Sequence, residues 1–235
     1  MNTNLPTTAP ARRAFTLIEL LMVIGIIGIL AGMILVGGNA FIKKGKLSRT
    51  KAELSQLEAA IDNYKAFKGV FPPDGKLSAA VVPLYYELMG TTPTGKGYQV
   101  VKGDDFISKT NPAVVQATFG RSGFLNASTD QSEVRSFLTA LKGVQTKTLA
   151  VVVDGETTSV VLLVAPVEGP AYTGGSFDLT GINPWCYVSS NPTNSRATAG
   201  GGGYDLWADI SVRNPFGGYT TYRICNWQRT PIVMQ

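Results

Sequence analysis

The chain from Arg12 to Val36 has the sequence RRAFTLIELLMVIGIIGILAGMILV. Its last twenty residues, from Leu17 onward, contain a single charged side chain, that of Glu19. A helix rises about 1.5 Å per residue, so twenty residues span roughly 30 Å, the hydrocarbon thickness of a bilayer. A soluble helix would have polar residues at every third or fourth position, and this run has none. The pattern predicts a helix that is either inserted in a membrane or surrounded by other copies of itself.

Glu19 lies near the start of the apolar run, where a carboxylate can reach the membrane interface. It follows Phe15 by four residues and therefore lies on the same helix face. If the chain were cut before Phe15, the new α-amino group would be a cation able to pair with the Glu19 carboxylate.

Residues 13–19, with the sequence RAFTLIE, resemble the processing site of type IV prepilins and type II secretion pseudopilins. The resemblance implies that a prepilin peptidase cuts between Ala14 and Phe15, that Phe15 is then N-methylated, and that Glu19 guides assembly. The family normally has glycine before the cut. Because alanine is the next smallest residue, we expect cleavage after Ala14 as well.

The resemblance also implies the organisation of the chain. Residues 1–14 form a leader peptide, residues 15–68 a long N-terminal helix, and residues 69–235 an extracytoplasmic globular head. The helix comprises a transmembrane part, 15–38, and an amphipathic stem, 39–68. The expected fold class is α+β and pilin-like, with the long helix packed on a head that contains an antiparallel sheet.

The orientation in the membrane follows from the resemblance and not from charge. Beyond the apolar run, Lys43, Lys44 and Lys46 outweigh Arg12 and Arg13 before it, so the positive-inside rule does not settle the topology. The resemblance implies a single-pass protein of the bacterial inner membrane with its head in the periplasm. It also implies later incorporation into a periplasmic or cell-surface filament.

The stem is predicted to continue the same helix with one apolar stripe. The stripe has heptad-like spacing and consists of Leu47, Leu54, Leu57, Ile61 and Tyr64. It is short for a coiled coil, so the chain's own head is the favoured cover. Gly69 and then Pro72 and Pro73 predict the end of the helix.

In the first half of the head, the pattern predicts helices over residues 76–89 and 129–142. Residues 113–119 fit either a short helix or a strand. Residues 95–109 are turn-rich and polar.

The second half of the head is predicted to be a sheet. Runs rich in β-branched residues at 148–153 and 159–165 flank Asp154-Gly155, a strong hairpin signal. Further strands are predicted at 185–189, at 204–213, where apolar and polar residues alternate, and at 219–227 as the last strand. The glycines at 200–203 lack the lysine and Ser/Thr of a phosphate loop and are expected to be flexible.

Catalysis has little support in the composition. The chain has no histidine, which removes the commonest general base, and it lacks a Ser/His/Asp set and metal-spaced Cys/His clusters. Without the leader's two arginines the net charge is +3, from 19 basic and 16 acidic side chains. That excess is too small to indicate nucleic acid. We therefore predict a protein that is not an enzyme, with no cofactor and no nucleic-acid partner.

Two acidic pairs are candidate calcium ligands. Asp205 and Asp209 fall on one face of a predicted strand, and Asp104 and Asp105 lack nearby partners in sequence. Because calcium takes six to eight oxygens from a compact loop, solvated or strand-face carboxylates are favoured at both places and no metal site is predicted.

Cys186 and Cys225 both fall in the C-terminal part. An oxidising compartment would permit a disulfide between them. The alternative is two separate buried thiols in strands. The sequence leaves both open.

The resulting hypothesis is a structural subunit of a type II secretion pseudopilus or a type IV pilus-like filament. Its expected partners are the prepilin peptidase, other copies or related pilin subunits, an inner-membrane assembly platform and membrane lipid. The alternative is a membrane-tethered extracytoplasmic binding module that forms no filament. Charge reversal at Glu19 separates the two, because only a filament subunit should lose assembly.

Overall fold

The computed structural model of the chain describes residues 15–95, 97–107, 113–138, 141, 143, 145–172, 176–194, 203–214 and 217–234, and for 33–39 the backbone alone. The predicted leader, 1–14, lies outside the described residues. The chain divides into two compact units, residues 1–42 and 43–235. A long N-terminal helix is followed by antiparallel sheets, so the predicted α+β, pilin-like fold class is confirmed.

Helix α1 spans Leu17–Lys68, 52 residues. Its end is set by Gly69, whose φ of 80° lies in the left-handed region that glycine adopts without a steric penalty. The Gly69 N–H donates to the carbonyl of Lys65 at 2.8 Å, and Pro72 and Pro73 follow. The helix end therefore lies where the sequence predicted it.

Within the second unit, the stem buries one stripe of α1 against the head. The buried members are Leu54, Leu57, Ala60, Ile61 and Tyr64, each at most 6% exposed. Burial of such side chains contributes roughly 1.5–3 kcal/mol each. The predicted cover of the stripe by the chain's own head is confirmed.

The other described elements all belong to the second unit. In chain order they are α2 Leu84–Met89, β1 Thr91–Thr94, β2 Gly97–Val100, β3 Phe106–Ile107, α3 Ala113–Phe119, β4 Thr146–Val153, β5 Glu156–Leu163, β6 Cys186–Val188, β7 Asp205–Arg213, β8 Tyr219–Cys225 and β9 Ile232–Met234. They form sheets of order β1-β2-β3, β4-β5 and β6-β7-β8-β9, and every strand pair is antiparallel.

The second and third sheets are joined. The Ala165 N–H donates to the Asn183 carbonyl at 2.8 Å, and the Trp185 N–H donates to the Leu163 carbonyl at 3.0 Å. These bonds flank an isolated antiparallel bridge between Val164 and Pro184. The hairpin β4-β5 therefore continues into the C-terminal sheet, beneath which the stem packs.

Two strand predictions are confirmed by their local chemistry. Asp154 and Gly155 have φ values of 53° and 80°, the two left-handed residues that a tight hairpin turn between β4 and β5 requires. In β7, the apolar residues Leu206, Ala208 and Ile210 are fully buried and alternate with more exposed neighbours, as predicted.

Two helix predictions were wrong. Of the helix predicted over 76–89, only Leu84–Met89 is helical, because Pro83 disfavours the helical conformation of the residue before it. Of the helix predicted over 129–142, the described residues contain no helix, only an isolated turn in which the Glu133 N–H donates to the Asp130 carbonyl at 3.1 Å. There the backbone of Arg135 is held by the side chain of Asn126, and the Phe137 N–H donates to the Leu88 carbonyl at 2.7 Å.

Sheet content was underestimated. The segment predicted as turns, 95–109, holds β2 and β3, and β1 directly precedes it. The strand β9 lies beyond the strand predicted to be the last. Residues 113–119 adopt the helical alternative. Residues 200–202 lie outside the described residues.

Candidate functional site

The start of α1 is closed by reciprocal hydrogen bonds between Thr16 and Glu19. The Glu19 Oε2 atom accepts from the Thr16 N–H at 2.9 Å and from the Thr16 hydroxyl at 2.8 Å. In return, the Glu19 N–H donates to Thr16 Oγ1 at 3.3 Å. This is a capping box, in which a threonine before the first turn and a glutamate three residues later satisfy each other's backbone donors.

The capping role of Thr16 was missed by the sequence reasoning, although Thr-x-x-Glu before an apolar run is its known signal. The structure adds a consequence for Glu19. Its carboxylate is bound to Thr16, the residue that follows Phe15, at the start of α1. The predicted assembly acid therefore contacts the residue next to the predicted N-terminal residue. Ala14, on the other side of the predicted cut, lies outside the described residues.

The first unit exposes its apolar side chains. Phe15 is 79% exposed and Leu17 80% exposed. The same holds for Ile18, Leu20, Leu21, Met22, Val23, Ile24, Ile26, Ile27, Ile29 and Leu30. Within the part of the chain that the structure describes, no helix combines the length and the apolar content needed to cross a membrane.

Of the two alternatives that the sequence favoured, a solvated or a strand-face carboxylate, Asp205 is the second, since it lies in β7. It is 2% exposed, and its Oδ2 accepts hydrogen bonds from the N–H groups of Thr193 and Asn194, both at 2.9 Å. Asp209 is half-buried and forms two hydrogen bonds of 2.8 Å with the guanidinium of Arg223. Both carboxylates fix loops and strands of the head.

Asp104 and Asp105 are exposed, as predicted, but Asp105 accepts a hydrogen bond from the Tyr85 hydroxyl. Tyr85 lies 20 residues away in sequence, so this contact does not contradict the expectation that the pair lacks nearby partners in sequence. Among the described residues, no three His, Cys, Asp or Glu side chains come together as metal ligands.

Cys186 and Cys225 are free, buried thiols. In the strand register, Cys186 lies opposite Trp207, and Trp207 lies opposite Cys225 on its other side. The two cysteines are therefore two strands apart, about 10 Å, whereas a disulfide needs Cα atoms about 4.4–6.8 Å apart. Of the two alternatives for this pair, the structure has the separate thiols and not the bridge.

Two buried acids that the sequence did not single out join the stem to the head. Glu87, fully buried, accepts hydrogen bonds from the Tyr64 hydroxyl at 2.7 Å and from the Leu125 and Asn126 N–H groups. Glu53 accepts from the Trp185 indole N–H at 2.9 Å. Burial raises the pKa of both acids, against the effect of these donors.

No local sequence pattern distinguishes Glu53 and Glu87 from the other acidic residues of the chain. Glu53 occurs among the charged residues of the stem, and Glu87 lies in a short apolar helix. Their partners are 132 residues away for Glu53 and 23 to 39 residues away for Glu87.

Comparisons with known proteins match the chain to one family model and to fimbrial proteins. The family model for the prokaryotic N-terminal methylation motif matches residues 10–35. The chain is similar to fimbrial protein EcpC of Eikenella corrodens, with 31% identity over 139 residues, 59% of this chain and 72% of that protein. It is also similar to fimbrial protein Q of Moraxella bovis, with 42% identity over 66 residues, 28% of this chain and 41% of that protein. No solved structure matches the chain.

Proposed function

This chain belongs to the type IV pilin-like family of fimbrial proteins, and on that basis we propose that it is a filament subunit that assembles through its N-terminal helix. The observation that carries the proposal is the capping box at the start of an exposed apolar helix. The role is structural and not enzymatic.

Processing is the first step of the proposal. A prepilin peptidase removes the leader, residues 1–14, by cutting between Ala14 and Phe15, and the new α-amino group of Phe15 is methylated. The motif match over residues 10–35 supports this step because it covers both sides of the cut. Before assembly, the apolar run from Leu17 to Val36 anchors the subunit in the inner membrane, with its head in the periplasm.

Assembly then replaces lipid with neighbouring helices. In a filament core, the apolar side chains now exposed along the first unit are covered by other copies or by related pilin subunits. A Glu19 carboxylate enclosed there without a cation would be strongly destabilising. Pairing with the Phe15 α-amino group of an adjacent subunit removes this cost only in one register.

The capping box supports this role through the position of the charge. Because Thr16 binds the Glu19 carboxylate, the acid is satisfied while the subunit is still unassembled. The carboxylate also stays at the N-terminal end of α1, where the Phe15 α-amino group of a second subunit has to bind. The filament is of the type II secretion pseudopilus or type IV pilus kind, and an inner-membrane platform supports its growth.

The test is co-expression of the chain with a prepilin peptidase, followed by intact-mass analysis and measurement of sheared filaments. We expect a mature chain that begins at Phe15 with one added methyl group. Glu19→Lys should lower the filament yield by about tenfold or more, since it places like charges together in the core. Asp62→Lys makes the same charge change at an exposed stem position and serves as the matched control.

Two results would contradict the proposal. One is a chain that keeps its leader or is cut elsewhere. The other is a Glu19→Lys variant that assembles as well as the control variant. Either would favour a membrane-tethered binding module that forms no filament.

A further inference from the structure

A dense group of cations opens the second unit. Between Glu19 and Glu53 the chain has no acidic residue, yet residues 43–51 contain five basic ones, namely Lys43, Lys44, Lys46, Arg49 and Lys51. Two exposed apolar residues directly precede them in sequence, Phe41 at 79% exposure and Ile42 at 58%. The group is not explained by membrane topology, because the side to which a head is translocated is normally depleted in Lys and Arg.

The structure holds two of these lysines against the C-terminal sheet. The Lys43 Nζ lies 4.5 Å from the centroid of the Tyr222 ring, a cation–π contact. The Lys46 Nζ donates to the Ser211 carbonyl at 3.4 Å. The side chains of Lys43 and Lys46 are thereby held against the head, whereas the side chain of Lys44 between them is exposed.

The facing strands add two residues at the same end of the sheet. Ser211 lies in β7 and Tyr222 in β8, and β7 ends and β8 begins at the cross-strand pair of Arg213 and Tyr219, whose side chains lie on the face opposite to that of Tyr222. Arg213 is exposed, and Tyr219 is 69% exposed. We call Lys43, Lys44, Lys46, Arg213, Tyr219 and Tyr222 the basic-aromatic patch.

Within the described part of the chain, the four cations of this patch form no ion pair. The closest acid along α1, Glu53, is buried and bound to Trp185. On β7, Asp209 accepts two hydrogen bonds from the guanidinium of Arg223. The exposed acid Glu168 lies near Ser211, whose N–H donates to the Glu168 carbonyl at 2.9 Å. The patch thus carries four cations that are in no ion pair, together with an exposed tyrosine.

We propose that the basic-aromatic patch binds the phosphate groups of anionic phospholipids, in the leaflet on the side of the head, while the subunit waits for assembly. The inference rests on the proposed function, in which the preceding apolar run is inserted in the membrane. Lysine and arginine stems with tyrosine rings beside an apolar segment are the residues that favour the bilayer interface. A polybasic segment there gains about fivefold in binding to an anionic surface per cation, or about 1 kcal/mol.

The occupant favoured by the charges is lipid and not a second copy of the chain. On the stem, a second copy could offer one exposed acid, Asp62, and one half-buried acid, Glu58. An anionic membrane surface offers a continuous layer of phosphates to all four cations. A lipid-bound patch would also hold the stem near the membrane until extraction into the filament releases it.

The experiment uses the full chain in nanodiscs that contain equal amounts of phosphatidylglycerol and phosphatidylcholine. Native mass spectrometry of the released protein counts the retained lipids of each kind. We expect wild type to retain severalfold more phosphatidylglycerol, and the Lys43→Gln/Lys44→Gln/Lys46→Gln variant to retain both lipids about equally. The control carries Lys76→Gln, Lys102→Gln and Lys147→Gln, three exposed lysines elsewhere on the head, and should keep the wild-type ratio.

The outcomes distinguish this inference from the proposed function. Insertion without any preference for phosphatidylglycerol, or a preference that persists in the patch variant, overturns the patch alone. A patch variant that loses self-association but keeps the wild-type lipid ratio assigns the patch to a second copy and also overturns it. If the full chain does not enter these nanodiscs, the result overturns the membrane anchoring and, with it, the lipid binding proposed for the patch. The two triple variants must have equal urea midpoints. A loss of phosphatidylglycerol in the patch variant then cannot be caused by unfolding.

Discussion

The hydroxyl of Tyr64 donates a hydrogen bond of 2.7 Å to the carboxylate of Glu87, and both side chains are fully buried. Tyr64 belongs to the stem and Glu87 to α2 of the head. Glu87 accepts two further bonds, from the backbone N–H groups of Leu125 and Asn126. One carboxylate thus joins the stem, a short helix and a loop, so the attachment of the stem to the head depends on a polar contact as well as on apolar burial.

Removal of the tyrosine hydroxyl should weaken this attachment. Tyr64→Phe leaves a buried acid with one donor fewer, and we expect the free energy of unfolding to fall by about 1–3 kcal/mol. Urea denaturation of the full chain in detergent measures the change. Tyr219→Phe removes the same group from an exposed ring and should change the stability by less than about 0.5 kcal/mol. Equal effects of the two variants would contradict the role given to the Tyr64 hydroxyl.

The pH dependence of stability tests the burial of Glu87. Burial raises the pKa of Glu87 above its ordinary value of 4.5, and the bonds from Tyr64, Leu125 and Asn126 oppose this only in part. The folded state therefore binds the proton more tightly than the unfolded state. As a result, this group's contribution to stability is greatest at low pH and is lost as the pH rises from about 4.5 through the raised value.

Comparison with Glu87→Gln isolates that contribution, because Gln does not titrate. The difference in unfolding free energy, wild type minus variant, should decrease as the pH rises above about 4.5 and then level off. Glu53, whose pKa burial also raises, titrates in both proteins and cancels in the difference. A difference that stays constant, or that increases with pH, would contradict a raised pKa for Glu87.

The parts of the fold that could be predicted are those that local sequence determines. The apolar run after Glu19 is long and uninterrupted, the stripe from Leu54 to Tyr64 has the helical period, and Gly69 provides a left-handed end. Asp154 and Gly155 can both adopt the left-handed conformation that a two-residue hairpin turn of this kind requires. In each case the residues that set the structure are neighbours in the chain.

The parts that could not be predicted depend on contacts across the chain. Val134, Phe137 and Leu138 have helical spacing, yet the backbone around them is bound by Asn126 and by the Leu88 carbonyl, which a sequence pattern does not reveal. At the candidate site, the motif around Glu19 was found because its residues are adjacent. The buried positions of Asp205 and Glu87 were not found, because their donors come from other elements.

Asp74 should show the opposite pH dependence to Glu87. Burial by itself raises the pKa of Asp74, but the donors from Ser190, Ser189 and Arg121 outweigh it, and the pKa lies below its ordinary value of 3.8. Stability from this group is therefore complete above about pH 4 and is lost as the pH falls through the lowered value.

The variant Asp74→Asn tests this assignment. It should lower the unfolding free energy by about 2 kcal/mol at neutral pH, since an amide replaces an acceptor of charge-assisted bonds. The deficit should shrink in acid, where wild type loses the same contribution. Asp62→Asn, at an exposed position of the stem, is the control and should change the unfolding free energy at neutral pH by less than about 0.5 kcal/mol. A deficit that does not depend on pH would contradict the lowered pKa.

The cysteines should react as two thiols and only after unfolding. Burial raises the pKa of the Cys186 thiol to about 12, so little thiolate forms near neutral pH, and Cys225 is buried as well. Iodoacetamide should add to neither cysteine in the native protein. In denaturant without reductant it should add to both, as read from the intact mass. No adduct under denaturing conditions, with two appearing after reduction, would show a disulfide and require a different strand register.

The hairpin between β4 and β5 should depend on the backbone freedom of Gly155 and not on space around it. A Cβ atom at Gly155 or at Gly95 would meet no atom within 4 Å, but only Gly155 has a left-handed φ, 80°. Gly155→Ala should therefore lower the unfolding free energy by about 1 kcal/mol, because a side chain is strained in that conformation. Gly95→Ala should be neutral or slightly stabilising, since it restricts only the unfolded chain. Equal urea midpoints for the two variants would mean that the turn tolerates a side chain, and that strand pairing between β4 and β5 sets the hairpin without the glycine.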